Sequence, residues 1–211
     1  MKRFACAIVL TFAATAMGQM TSEDGPAEFS LGIGYANITL GSNSAIDGES
    51  ALRFEPSLTF SPIQQVPQIR FGVDVGVSLV LDNSNRTIVS NDGQLIFFGS
   101  SDIPLWTLEP ELRLSWRQVL DADHRFFIEP GVAGGVLFGF LDLNSPDNNG
   151  SYDADASTVY GRVFLRAGAR VTGGIAGFEA SWMSGGNLDF GGDASGDVSE
   201  WYVGFFGAIQ F

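Results

Sequence analysis

From about Phe29 to the last residue, apolar and polar side chains alternate every second position in segments of about ten residues. That period fits a strand whose two faces meet different surroundings and does not fit a helix. The third segment is the longest. It sets Ile69, Phe71, Val73, Val75, Val77 and Leu79 against Arg70, Gly72, Asp74, Gly76 and Ser78. The first opposes Phe29, Leu31, Ile33 and Tyr35 to Ser30, Gly32, Gly34 and Ala36. The second carries Arg53 and Glu55 opposite Leu52 to Phe60, and the fourth carries Glu109, Glu111 and Arg113 opposite Trp106 to Trp116. A fifth runs from Phe126 to Gly139 with Glu129 on its polar face, and a sixth from Val159 to Val171 with Arg162, Arg166 and Arg170. The seventh is short, with Phe178, Ala180 and Trp182 against Glu179, and the eighth begins at Trp201.

The connections alternate in length. Short turns are expected at 61–67, 118–124 and 173–176, and long polar loops at 41–50, 82–103, 141–157 and 184–199. The pattern predicts an all-β fold, a closed antiparallel up-and-down transmembrane barrel of eight strands, with an even strand count, short turns at one end and long loops at the other. Asn91-Asp92-Gly93 lies between two short apolar runs and is a hairpin signal. These arms are too short to span lipid and are read as extensions of the third and fourth strands. A ten-stranded barrel is the alternative.

Charged residues make up only 17% of the chain and mean hydropathy is +0.16. No apolar run beyond residue 20 approaches the ~20 residues of a membrane helix. A closed barrel is the other structure that satisfies its backbone in lipid. Residues 1–18 read as a secretory signal: Lys2 and Arg3 lead, Phe4 to Ala14 form a short apolar core, and small residues precede a cut after Gly18 or Ala16. Residues 19–26 are a polar lead and 27–211 the barrel. Cys6 falls within the signal, so the mature chain has no thiol. The chain carries 11 basic and 24 acidic residues, which excludes the basic face that nucleic acid requires.

Alternation alone leaves sidedness open. A soluble periplasmic barrel that binds apolar ligands would enclose the apolar face. Three features favour the inverted arrangement. The polar face carries opposite charges with arginine as its cation, where a solvated surface would mix lysine and glutamate. Glycines alternate with those arginines, leaving room in a lumen that eight strands barely fill. Apolar-face aromatics mark strand ends, among them Phe29, Phe60, Phe71, Trp116, Phe126, Phe178 and Phe211 at the short-turn end. Trp106, Phe138, Trp182 and Trp201 mark the other, giving two interfacial girdles.

The last segment, with Trp201, Val203, Phe205, Ile209 and a final Phe211, resembles the assembly signal of outer-membrane proteins. The eight-strand plan resembles the small barrels of the OmpA/OmpX type. The resemblance implies an outer-membrane location in a Gram-negative bacterium, external loops and periplasmic termini. Its implied partners are membrane lipid, lipopolysaccharide and the barrel-assembly machinery, the last engaged through that strand.

On this reading the lumen holds Arg53, Arg70, Arg113, Arg162, Arg166 and Arg170 with Glu55, Asp74, Glu109, Glu111, Glu129 and Glu179. Buried charges are tolerated when they are paired and hydrogen-bonded, and arginine's planar fork suits carboxylates. The expected role is a ladder of ion pairs that plugs the barrel. The alternative is a narrow porin-like path for ions or small solutes. Glu-Pro recurs at Glu55-Pro56, Glu109-Pro110 and Glu129-Pro130, and proline in a sheet marks distorted pairing. The excess acid, including Asp47, Glu49, Asp153, Asp155, Asp193 and Asp197, is assigned to the long loops, where divalent cations can bridge it to lipopolysaccharide. His124 is the only histidine and lies in an acidic turn, an arrangement that does not suit a hydrolase. No catalytic, cofactor or metal-binding residues are expected.

Overall fold

A computed structural model describes residues 27–41, 49–63, 68–80, 86–89, 95–98, 105–122, 125–144, 151–172, 174–190 and 195–211. Residues 1–18, read as the signal, and His124 lie outside them, as do most of the loop aspartates. The described strands are β1 (Glu28–Leu40), β2 (Glu49–Phe60), β3 (Ile69–Val80), β4 (Arg86–Val89), β5 (Leu95–Phe98) and β6 (Leu105–Trp116). They continue with β7 (Gln118–Val119), β8 (Phe126–Asn144), β9 (Ser151–Val171), β10 (Gly174–Asp189) and β11 (Ser195–Gln210).

Hydrogen bonding runs in the order β6-β3-β2-β1-β11-β10-β9-β8-β7, and β6 also pairs with β8, which closes the sheet. Every pairing is antiparallel. β7 resumes β6 beyond Arg117 along the same neighbour, so the wall has eight strands. The first and last strands meet, from Glu28 opposite Gln210 to Leu40 opposite Val198. β4 and β5 pair only with each other, in a two-stranded sheet of their own. They neither widen the barrel to ten strands nor extend the ladder of β3 and β6.

The Glu-Pro repeats coincide with gaps in the ladder. The β2–β3 register skips Glu55 and Pro56, and the β6–β8 register skips Glu109 and Pro110. Pro130 lies where β6 breaks off before Arg117. Proline has no N–H to give on that side, so pairing lapses for two residues while the glutamate turns inward.

The faces sort as a membrane barrel requires. Phe71 is 40% exposed on the outside, whereas Arg70 and Glu109 are 3% and 0% exposed inside. Leu31, Ile33, Val163, Leu165, Val203 and Phe205 lie outward in the same band. This overturns a soluble barrel with an apolar interior at this level. Aromatic contacts on the outer wall include Tyr35–Trp201 at 5.3 Å, Trp106–Phe140 at 3.9 Å and Phe60–Phe71 at 6.5 Å between ring centroids.

Two of the expected long loops are largely strand. β8 runs to Asn144 and β9 starts at Ser151, while β10 runs to Asp189 and β11 starts at Ser195. The cause is a reversal of polarity, within an unbroken phase in every strand but β10. In β1 the inward row changes from Ser30 and Gly32 to Ala36, Ile38 and Leu40, while the outward row changes from Leu31 and Ile33 to Asn37 and Thr39. Above the girdle the interior is therefore apolar. Ile38, Leu40, Leu105, Leu137, Leu141, Met183, Leu188, Phe190 and Val198 pack into one buried cluster. An irregularity between Ser184 and Asn187 shifts the phase of β10, so that Leu188 and Phe190 turn inward.

Candidate functional site

The lumen below that cap is the candidate site. Among the described residues nine carboxylates and six arginines are buried. Their ion pairs form two groups. Near the short-turn end, Arg117 joins Glu28 at 2.8 Å and Glu129 at 2.6 Å, and Arg70 reaches Glu28 at 3.2 Å. Ser115 gives a further hydrogen bond to Glu129 at 2.7 Å. This inner group has two arginines and two carboxylates.

The outer group is larger. Arg162 is its hub: its guanidinium contacts Glu55 at 2.6 Å, Asp74 at 3.4 Å, Glu179 at 3.3 Å and also Glu111. Arg113 pairs with Asp74, and Arg166 pairs with Glu179 and reaches Glu55 at 3.5 Å. Arg53 binds Glu55 at 3.2 Å through Nε. Its Nη1 meets both Glu109 and Glu200, the latter at 2.8 Å. Hydroxyls complete the network: Thr107 donates to Glu109 at 2.5 Å, Ser78 to Glu200 at 3.4 Å and Tyr160 to Glu111 at 2.8 Å.

Inward aromatics flank the guanidinium groups. Arg113 lies 3.8 Å from the Phe164 centroid, Arg117 4.2 Å from Phe127 and Arg166 4.8 Å from Phe206. Glycines make the space. A Cβ on Gly72 would meet Arg113 Cγ at 2.7 Å, and one on Gly76 would collide with the Arg53 guanidinium. The small residues of the polar face are thus the complement of the long ones.

Carboxylate oxygens of Glu55, Asp74 and Glu111 lie within 4.8 Å of one another, close enough to hold a cation. The cation there is Arg162, whose guanidinium touches all three.

Arg53, Glu55, Arg70, Asp74, Glu109, Glu111, Arg113, Glu129, Arg162, Arg166 and Glu179 all point into the lumen. Arg170 does not belong with them. It keeps the inward phase of β9 but is exposed, because Phe127, Ile175, Phe206 and Ala208 fill the interior at that end. Its backbone N–H bonds the Arg125 carbonyl at 2.8 Å. Glu49, assigned to a loop, instead opens β2 and is buried. Sequence reasoning missed Glu28, Arg117 and Glu200. Each continues the inward phase of its strand by one or two steps past the apolar alternation, and that continuation was the available signal.

No family model matches the sequence, and no curated protein matches it. Solved structures do. Neisserial surface protein A is similar over 89% of this chain and 99% of its own, at 11% identity and a TM-score of 0.60. A major outer membrane protein of Thermus thermophilus covers 88% and 98% at 10% identity, TM-score 0.54. Ail, the attachment invasion locus protein of Yersinia pestis, covers 88% and 99% at 10% identity, TM-score 0.53. The chain has the fold of a small outer-membrane β-barrel. In such a barrel the network lies at bilayer depth, where water is scarce and arginine–carboxylate pairing is the means of satisfying the polar face.

Proposed function

We propose that this protein is a non-catalytic integral outer-membrane barrel with a structural or surface-interaction role, its lumen plugged along its length. The observation that carries this reading is the stacking of two fillings in one interior. Arg162 ties four carboxylates across the lumen, and above them Leu137, Leu141 and Phe190 pack the mouth. An ion crossing such an interior would have to break several buried pairs and then enter an apolar plug, and each step is costly. The reading places the protein in the outer membrane of a Gram-negative bacterium with loops outside and termini in the periplasm. It assigns β11 to the assembly machinery and the acidic loops to divalent-bridged contact with lipopolysaccharide.

Conductance of purified protein in a planar lipid bilayer tests the plug. The expected record shows no openings across the accessible voltage range. Sustained, reproducible openings would replace this reading with that of a narrow channel for ions or small solutes.

A further inference from the structure

Among the described residues the outer group of ion pairs is not balanced. It contains Glu55, Asp74, Glu109, Glu111, Glu179 and Glu200 against Arg53, Arg113, Arg162 and Arg166, six carboxylates to four arginines. The inner group, with two of each, is balanced. A surplus of two buried negative charges is far too costly to leave uncompensated where the dielectric is low.

The surplus is concentrated beneath the cap. Glu109 and Glu200, from strands on different sides of the barrel, converge on one nitrogen of Arg53. Around them β2 also contributes Glu55, β3 Ser78, β6 Thr107 and Glu111, β9 Tyr160 and Arg162, and β11 Tyr202, while Glu49, also buried on β2, has a partner of its own and is not counted in the group. The neighbours of Glu200 on β1 and β10 are Ile38 and Met183, which are apolar and buried. A metal ion between the two carboxylates would sit against a guanidinium. A proton needs no such space and shares the oxygen lone pairs directly.

We propose that the outer group is a proton-binding site, in which the surplus of carboxylates over arginines is neutralised by bound protons in the folded barrel. The site is closed to bulk water by the apolar cap, so its protons enter and leave with folding or with opening of the mouth. Because the folded state binds more protons than the unfolded chain, stability falls as pH rises through neutrality, the opposite of ordinary paired carboxylates.

Proton uptake on refolding from urea into detergent micelles at about pH 8, where free carboxyls are ionised, provides the test. The wild-type protein is expected to take up about two protons per molecule, the number that balances six carboxylates against four arginines. Infrared spectra of the folded protein at that pH are expected to show a protonated-acid carbonyl band that shifts in D2O. The double variant Glu109→Gln/Glu200→Gln should lose both signals and keep a urea midpoint at or above wild type. No proton uptake and no such band in the wild-type protein would overturn the proposal, whatever the variant does. A midpoint that follows added sodium or calcium instead of pH would also overturn it, assigning the charge to a metal cation. The conductance record bears on the plug alone, so the two readings fail separately.

Discussion

The interior of this barrel is ionic over most of its length and apolar at its long-loop mouth, and both fillings hang from the same strands, in one phase except in β10. In β1, Ser30 and Ile38 point the same way. What changes between them is the solvent outside. Where the wall faces lipid, outward residues such as Leu31 and Ile33 gain nothing by leaving an apolar medium, and the interior is held by charge pairing and hydrogen bonds. Where the wall rises into water, outward residues become Asn37 and Thr39, and the interior is held by burial of Ile38, Leu40, Leu137 and Leu141. The polarity of a face therefore reports the medium beyond the wall, and the level at which it reverses marks the membrane boundary at the long-loop end.

The comparison is broken most directly at the ionic hub. Arg162→Ala strips Glu55, Asp74, Glu111 and Glu179 of their shared cation. Breaking a buried pair costs about 3–5 kcal/mol, and four partners put this variant at the upper end of that range. Reversible urea unfolding from micelles measures it. A loss below about 1 kcal/mol, the value of an exposed pair, would mean that water reaches the lumen and that the two fillings do not differ in kind.

The apolar mouth was the less legible of these regions. The strands themselves follow from period-two alternation, and the inward arginines from their phase against Val75, Leu112 or Val163. The cap was hidden because there the rule runs backwards. Leu137 and Leu141 occupy the row of Glu129 and Gly131, so an apolar residue on that row reads as loop or noise unless the medium outside is known to change. The phase shift in β10 hid Leu188 and Phe190 as well. Length also sorts the acids, with Asp74 the exception in the lumen: each of the eight glutamates from Glu28 onward is buried, whereas Asp155, Asp189 and Asp197 are exposed near the loops. The extra methylene of glutamate reaches the lumen axis, whereas aspartate favours turns. Arg170 shows the limit of phase alone, since a correct row says nothing of whether the barrel still has room at that depth.

Leu137→Ala sharpens the contrast from the other side. Leu137 is fully buried in the cap, and its truncation should cost about 2–3 kcal/mol by cavity formation. Hydrogen exchange distinguishes it from the hub variant: protection should fall in the outer ends of β8 to β11 and persist in the segments around Arg162. Tyr160, which donates to Glu111, and Tyr202, whose ring centroid lies 5.7 Å from the Arg53 guanidinium, both belong to the cap and together form a bridge between the fillings. Apart from that bridge the two losses should add to within about 0.5 kcal/mol in the double variant. A larger coupling would show that cap and network form one cooperative unit.

The smallest effect is expected on the lipid face itself. Gly161 points outward opposite Gly134, and a Cβ placed on it meets no atom within 4 Å. Gly161→Ala fills no cavity and strains no neighbour, while glycine in a strand interior carries an entropic penalty of about 0.5–1 kcal/mol relative to alanine. The expected result is a gain of about 0.5 kcal/mol in the same urea titration. By contrast Gly72→Ala, on the inner face of the same wall, must displace Arg113 and should lose stability. Opposite signs for two identical substitutions would separate a face that packs against side chains from one that packs against fluid lipid. A clear loss at Gly161 would show instead that the band around it is a packed interface, and the membrane boundary inferred from the reversal of polarity would have to be redrawn.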